Sequence, residues 1–369
     1  MAKSSSRLVS LDILRGMTVA FMIIVNTPGS RDYVYPVLRH SSWNGCTPTD
    51  LVFPFFLFIV GVSMWYSLKN YDYKLTGGSL WRIMRRSITI FILGLFLAIF
   101  PYFKMDYSTL RIMGVLQRIA LAYLLSSIIC LAIKRDYLWI VIAVILLIYW
   151  ALLAFLGGSD PFSLSGNLVR KIDLAILGSK HMYAGFGIPF DPEGFLSTLP
   201  AAATVITGYY IGEIIGKDSV SGPTVLKLIF IGAAATGLGL LWSIVLPINK
   251  PLWTSSYVLY TAGIAIGALA LVYLIADVLK FKIWGAFFSV FGTNALFSYF
   301  FAGVWTEMLL FVKVPVGAAK MSLYEWFYEK VCVHLAGNIN GSLMFALVQM
   351  LIIWGVALIL YRKKIMIRF

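Results

Sequence analysis

The sequence predicts an all-α, polytopic integral membrane helix bundle of about ten transmembrane helices, with both termini cytoplasmic. Three observations lead there. Of 369 residues, 60% are hydrophobic and only 12% are charged, about half the charged share of a soluble domain. Apolar stretches long enough to cross roughly 30 Å of hydrocarbon recur from end to end. Lys and Arg crowd into alternate, short loops, which is the asymmetry that orients membrane helices.

Taken in order, the first span covers about 10–27; it follows Lys3 and Arg7 and is interrupted by Asp12 and Arg15. It resembles a signal peptide, but those two charges and the lack of a small-residue cleavage site mark it as a retained helix. An outward loop at 28–49 leads into the second span, 50–68. Lys69, Lys74, Arg82, Arg85 and Arg86 then form a cytoplasmic loop before the third span, 86–101. Outward residues 102–111 precede the fourth span, 112–133, and Lys134 and Arg135 separate it from the fifth, 138–156. The longest outward loop, 157–194, precedes the sixth span, 195–215. Lys217 divides this from the seventh, 226–246, and outward residues 247–255 lead to the eighth, 256–277. Lys280 and Lys282 precede the ninth, 285–311; the outward stretch 312–342 precedes the tenth, 343–361, which ends on Arg362, Lys363, Lys364 and Arg368. No repeat, linker or low-complexity tract divides the chain, so 1–369 is expected to be one domain.

The net charge of +14 is accounted for by these loops, and no nucleic-acid partner is expected. The three cysteines, Cys46, Cys130 and Cys332, have neither metal nor redox spacing, so no metal and no disulfide framework is expected. Aromatic residues make up 15% of the chain and there are 31 glycines, which supply interfacial anchors and close helix packing.

The residues suited to chemistry gather in the outward loops, where all three histidines, His40, His181 and His334, lie. His40 is of the residue type that exchanges protons near neutral pH, although a lone loop histidine is more often simply solvated. Thr47-Pro48-Thr49-Asp50 has the form of a helix start, with Thr as cap and an acid at the third position, so capping alone accounts for Asp50. Asp191-Pro192-Glu193-Gly194 repeats that form ahead of the sixth span. Lys250, Trp253 and Ser256 add a cation, a ring and a hydroxyl at the same face, and such convergence is what a polar substrate needs. Within the spans, Asp12 with Arg15, and Gln117 with Arg118, are costly unless paired or facing a cavity. A structural ion pair is the plain reading of Asp12 and Arg15, whereas Arg118 has no opposite charge beside it in sequence.

The strings Ser10-Leu11-Asp12-Ile13-Leu14-Arg15-Gly16, Asn26, His40-Ser41-Ser42-Trp43-Asn44-Gly45 and Asp50-Leu51-Val52-Phe53-Pro54 together resemble the heparan-α-glucosaminide N-acetyltransferase family of transmembrane acetyltransferases. Arg111-Ile112-Met113-Gly114-Val115-Leu116-Gln117-Arg118, Phe190 to Gly194, and Asn249-Lys250 with Leu252-Trp253 and Ser256-Tyr257 extend the resemblance, in the family's order, to the eighth span. Lysosomal members carry a lumenal domain and a further helix ahead of the Ser-Leu-Asp segment, with which this chain almost begins. The expectation is a minimal, bacterial-type member in a cytoplasmic (inner) membrane. Asn294 and Glu307 lie beyond the resemblance and inherit no role.

The resemblance implies that an acetyl group passes from cytosolic acetyl-CoA, the only cofactor expected, to the amino group of a glucosamine-type sugar on the far side of the membrane. His40 is then the expected base, or itself the acetyl carrier, and Asp50 the residue that orients its imidazole. Asn44, Trp43, Asp191, Glu193, Lys250, Trp253 and Ser256 are expected at the acceptor. Arg15, Asn26, Gln117 and Arg118 are expected at the acetyl-CoA side, with the two arginines as candidates for its phosphates. Because a pantetheine arm cannot span the hydrocarbon, the His40 loop is expected to fold inward. The partners implied are an amino sugar or glycan end and membrane lipid, with a homodimer left open. Two other classes share the architecture: a secondary transporter of a polar solute, which does not explain polar residues gathered at one face, and an O-acyltransferase of envelope glycans.

Overall fold

A computed structural model describes residues 8–103, 106–317 and 319–367. Lys3, Arg7 and Arg368, counted above among the cytoplasmic cations, lie outside the described residues. The helices are α1 (Val9–Asn26), α2 (Pro48–Leu68), α3 (Gly77–Ile99), α4 (Val115–Ala132), α5 (Leu138–Leu156), α6 (Leu168–Leu177), α7 (Thr198–Lys217), α8 (Gly222–Trp242), α9 (Ser255–Tyr273), α10 (Ala286–Thr293), α11 (Ala295–Phe311), α12 (Leu323–Phe327) and α13 (Val333–Arg362). Between α11 and α12 a short antiparallel hairpin pairs β1 (Lys313–Val316) with β2 (Ala319–Ser322).

Among the described residues, seven helical stretches are long and apolar enough to cross a membrane, or up to eight if the bent pair α10 and α11 forms one span. Two more helices have spanning length, α3 with 23 residues and α7 with 20, but each is charged toward one end. Those of α7 collect with others: Glu213 pairs with Lys217 at 2.6 Å and with Arg135 at 3.4 Å. The Arg135 guanidinium lies 3.8 Å from the centre of the Tyr73 ring. Long cationic side chains at a helix end behave this way when the charge seeks water and the stem stays in apolar surroundings.

Small residues set the central packing. A side-chain carbon added to Gly61 of α2 would stand 1.9 Å from the Val205 carbonyl oxygen, and one added to Gly208 of α7 would stand 2.0 Å from that of Phe58. The backbones of α2 and α7 therefore approach as closely as glycine allows, which is how helices associate without a hydrophobic driving force. The bundle core around them holds Leu57, Ala201, Val205 and Tyr209, all inaccessible to solvent.

Two expected spans differ in detail. The segment 285–311 is not one helix but two, bent by 71° at Asn294. An unbroken apolar run hides such a break. Here the Asn294 side chain bonds away from its own helix, donating to the Ile365 carbonyl at 2.9 Å and accepting the Ile367 N–H at 2.8 Å, and so ties the C-terminal segment to the bend. The tenth segment is longer than its apolar core, because α13 begins at Val333 and continues through a break at Gly337, whose φ is 73°. His334, expected in a loop, therefore lies on a helix.

Candidate functional site

The C-terminus of α1, the N-termini of α2 and α4, and the segments ahead of α7 and α9 meet at one end of the bundle. There they enclose a cavity of about 140 Å³, lined by Met22, Asn26, His40, Thr49, Phe53, Glu193, Lys250 and Tyr299 among others. It reaches from His40 down to the level of Met22, about one helical turn below the end of α1.

The loop from residue 27 to 47 is docked against the segment between α8 and α9. The Gly45 N–H donates to the Ile248 carbonyl at 2.7 Å, and Gly45 bridges Asn249. Asn249 donates from its amide to Asn44 at 3.0 Å and accepts the Leu252 N–H at 2.7 Å. Gly45 has φ of 108°, a conformation that glycine adopts without strain. This docking brings Lys250 beside His40 although 210 residues separate them.

Asp50, 1% exposed, is the hub. Its Oδ2 accepts the N–H groups of Ser41 and Thr47, each at 3.0 Å, and the Thr47 hydroxyl at 3.0 Å. Its Oδ1 accepts His40 Nδ1 at 2.6 Å and lies 3.3 Å from Lys250 Nζ. One oxygen thus caps α2 and the other serves the imidazole, so the two readings of Asp50 divide between the two atoms of one carboxylate. With Nδ1–H donated to Asp50, the His40 Nε2 keeps its lone pair; the histidine side chain is 52% exposed. Burial lowers the pKa of the Lys250 ammonium, and the adjacent Asp50 charge works against that shift. Burial, reinforced by Asp50, pushes the Cys46 thiol up to about 12. Cys46 is therefore a neutral thiol at neutral pH and a poor nucleophile.

A second cluster forms another wall. Arg111 donates from Nε to Asp191 Oδ2 at 3.0 Å and from Nη2 to Asp191 Oδ1 and Glu193 Oε2, each at 2.7 Å. Its guanidinium also lies 4.7 Å from the centre of the Tyr183 ring. Burial alone would lower the Arg111 pKa, but its bonds to Asp191 and the Glu193 charge outweigh burial and raise it. The expected capping role of Asp191 and Glu193 is not what is found. The helix starts later, at Thr198, and the two carboxylates are held by Arg111, which sequence reading had placed in a motif without a role. No spacing rule could have paired residues 80 apart.

Beneath that turn, Asp173 accepts the Phe195 N–H at 2.8 Å. A side-chain carbon at Gly194 would stand 1.6 Å from Asp173 Oδ2, so only glycine fits there. Burial pushes the Asp173 carboxyl up to about 6, against the Phe195 hydrogen bond and the Arg118 charge. A group whose pKa is higher in the folded state than the ordinary carboxylate value favours folding at low pH, and that contribution is lost as the pH rises through about 6. Asp173→Asn keeps an acceptor for Phe195, so its melting temperature should fall less than that of the wild type between pH 4 and pH 7. Parallel melts that show equal pH dependence would refute the assignment.

The other predicted site residues lie as follows. Trp43 donates to the Phe162 carbonyl at 2.8 Å and packs edge-on against Phe186 and Phe190. Trp253, with φ of 53°, is buried between Phe53 and Tyr257. Ser256 is fully buried and bonds the Pro247 carbonyl. These three shape the cavity's surroundings without lining it. Gln117 is buried against Gly94. Arg118 has no exposed surface, donates to the Gly194 carbonyl at 3.0 Å and to Ser197, and lies 5.2 Å from the centre of the Trp253 ring. Arg15 bonds Asp12, Ser63 and the Gly292 carbonyl; it stands roughly 16 Å along α1 from Asn26 at 1.5 Å per residue. Among the described residues no group of three His, Cys, Asp or Glu side chains could hold a metal. Sequence reading missed Arg111, Thr49 and Tyr299.

Residues 7–239 match the family described as heparan-alpha-glucosaminide N-acetyltransferase, catalytic. The chain is 28% identical to the heparan-alpha-glucosaminide N-acetyltransferase of Mus musculus, with 98% of the chain and 60% of that protein covered. It is likewise 28% identical to the protein of the same name from Homo sapiens, with 97% and 59% covered. The chain therefore spans about 60% of the length of these curated relatives.

Proposed function

The chain belongs to the heparan-alpha-glucosaminide N-acetyltransferase family, and on that premise we propose that it transfers an acetyl group from acetyl-CoA to the amino group of a glucosamine-type sugar. The observation that carries this reading is the His40, Asp50 and Lys250 network at the mouth of a polar cavity. In the proposed reaction the acceptor amine attacks the thioester carbonyl while Nε2 of His40 takes its proton. Asp50 holds the ring by Nδ1 and supports the imidazolium that forms. The Lys250 charge offsets that of Asp50 beside the ring. Glu193, with Arg111 and Asp191 behind it, offers a fixed carboxylate to the acceptor, and Asn26 lies in the same cavity. Arg118 acts from behind the wall by holding the turn at Gly194.

In this reading all ten segments span a cytoplasmic membrane as one domain, the site end faces outward and the acetyl donor enters from the cytosol. The acceptor is an amino sugar or glycan end. Cysteine labelling from outside intact cells should reach a probe at position 40 and not one in the loop holding Lys134; the opposite pattern would overturn the orientation.

The central test is acetyl-CoA consumption by purified protein in detergent with glucosamine as acceptor, the product identified by mass spectrometry. N-acetylglucosamine is expected; O-acetyl product would move the assignment to the glycan O-acyltransferase class, and no consumption would defeat it. Asp50→Asn should lower turnover and thermal stability together, since one carboxylate serves both cap and imidazole; the cap alone is worth about 1 kcal/mol. A loss of only one of the two would show that the other bond is idle.

A further inference from the structure

Three of the polar side chains that line the cavity have no hydrogen-bond partner among the described residues. The Thr49 hydroxyl is buried and bonds none of them. Among the described residues, no hydrogen bond reaches the side chains of Asn26 or Tyr299, and both line the cavity with His40, Glu193 and Lys250. A polar group removed from water, as the Thr49 hydroxyl is, is almost always paired; with the exposed Asn26 and the partly buried Tyr299 it leaves a set of donors open to a polar guest.

Tyr299 is distinguished by position and chemistry. It is carried by α11, beyond the 71° bend at Asn294, and so enters the cavity from an element that bears none of the His40, Asp50 and Lys250 network. That bend directs a helix outside the matched family segment, residues 7–239, into the site. Of the charged groups on the walls, Glu193 accepts rather than donates, and the Lys250 ammonium is held at Asp50. The phenol is a neutral donor with its hydrogen uncommitted.

We infer that Tyr299 donates a hydrogen bond to the carbonyl oxygen of the acyl donor as that oxygen becomes an oxyanion. The inference rests on the acyl-transfer reading above. As the amine lone pair forms the C–N bond, the carbonyl π pair moves onto oxygen, where the Tyr299 O–H stabilises it without giving up its proton. His40 takes the amine proton. The carbonyl then re-forms, the C–S bond breaks, and the sulfur leaves with the electron pair and receives the proton from the imidazolium, giving amide and thiol. A fixed donor in a site shielded from water is worth far more to such a charge than one in bulk solvent.

The test is steady-state kinetics of the purified full chain in detergent, with acetyl-CoA and glucosamine as substrates. Tyr299→Phe should lower kcat about 10²-fold, the usual cost of removing one oxyanion donor, with KM for both substrates and the melting temperature unchanged. Difluorotyrosine incorporated at position 299 supplies a more acidic phenol and should raise kcat above the wild-type level, with KM unchanged. A purely structural tyrosine would not respond to phenol acidity. A Tyr299→Phe protein with wild-type kcat, or one whose loss lies entirely in KM, would overturn the assignment. Should Tyr299→Phe fail to fold, a fluorinated protein with unaltered kcat and KM overturns it equally. A wild-type protein that transfers nothing defeats the acyl-transfer reading itself, an outcome distinct from an active enzyme indifferent to position 299.

Discussion

His40→Ala should lower turnover by about 10²-fold or more, the usual contribution of a positioned general base, while leaving the fold and acetyl-CoA binding intact. The side chain is half exposed, donates from Nδ1 to Asp50 and has the Lys250 ammonium 3.1 Å from the same nitrogen. Its removal leaves no cavity in the core. Asp50 keeps its three other bonds, to Ser41 and Thr47, and the Lys250 ammonium still neutralises it, so no charge is stranded. The effect is therefore expected in kcat and not in melting temperature. Near-wild-type transfer by purified His40→Ala would exclude His40 as the base. His181 is then a weak substitute, since it does not line the cavity, and Glu193, which does, would be tested next.

Arg111→Ala should produce the largest loss of stability, about 3–5 kcal/mol, as expected when one partner is taken from a buried ion cluster. Asp191 is fully buried and Glu193 nearly so, and three charge-assisted bonds from one guanidinium hold both. Without it two like charges face each other, Asp191 with no exposed surface and Glu193 with little. Arg111→Lys keeps the charge but loses the planar fork, so it should fall between wild type and alanine. Activity should fall along with stability, because Glu193 lines the cavity. Thermal unfolding in detergent decides the matter. An Arg111→Ala protein that melts like the wild type would mean that the carboxylates find water or another cation.

Arg118 illustrates how far a sequence can point at a residue without giving its role. An arginine inside an apolar helix is costly, and that cost marked it as important. Its partners, the Gly194 carbonyl and Ser197, are 76 and 79 positions away. The form Asp-Pro-Glu-Gly likewise announced a special turn but suggested a cap, because capping is a local rule. The pairing with Arg111 is not local.

By itself the sequence determined the membrane class, the position of most helices and the cluster of chemistry in the segments that meet at one end. These follow from properties that residues carry independently of context: apolar length against the thickness of a bilayer, and the cost of charge in hydrocarbon. The quoted motifs also gave the family, which the match over residues 7–239 shows. Tertiary structure alone decided that Lys250 joins His40 and Asp50, that Asp191 and Glu193 serve Arg111, that 285–311 breaks at Asn294, and that Tyr299 enters the cavity. Each of these depends on contacts between residues far apart in the chain. Hydrogen bonds and ion pairs act over a few ångströms, so which groups pair is settled only when helix packing brings them within reach.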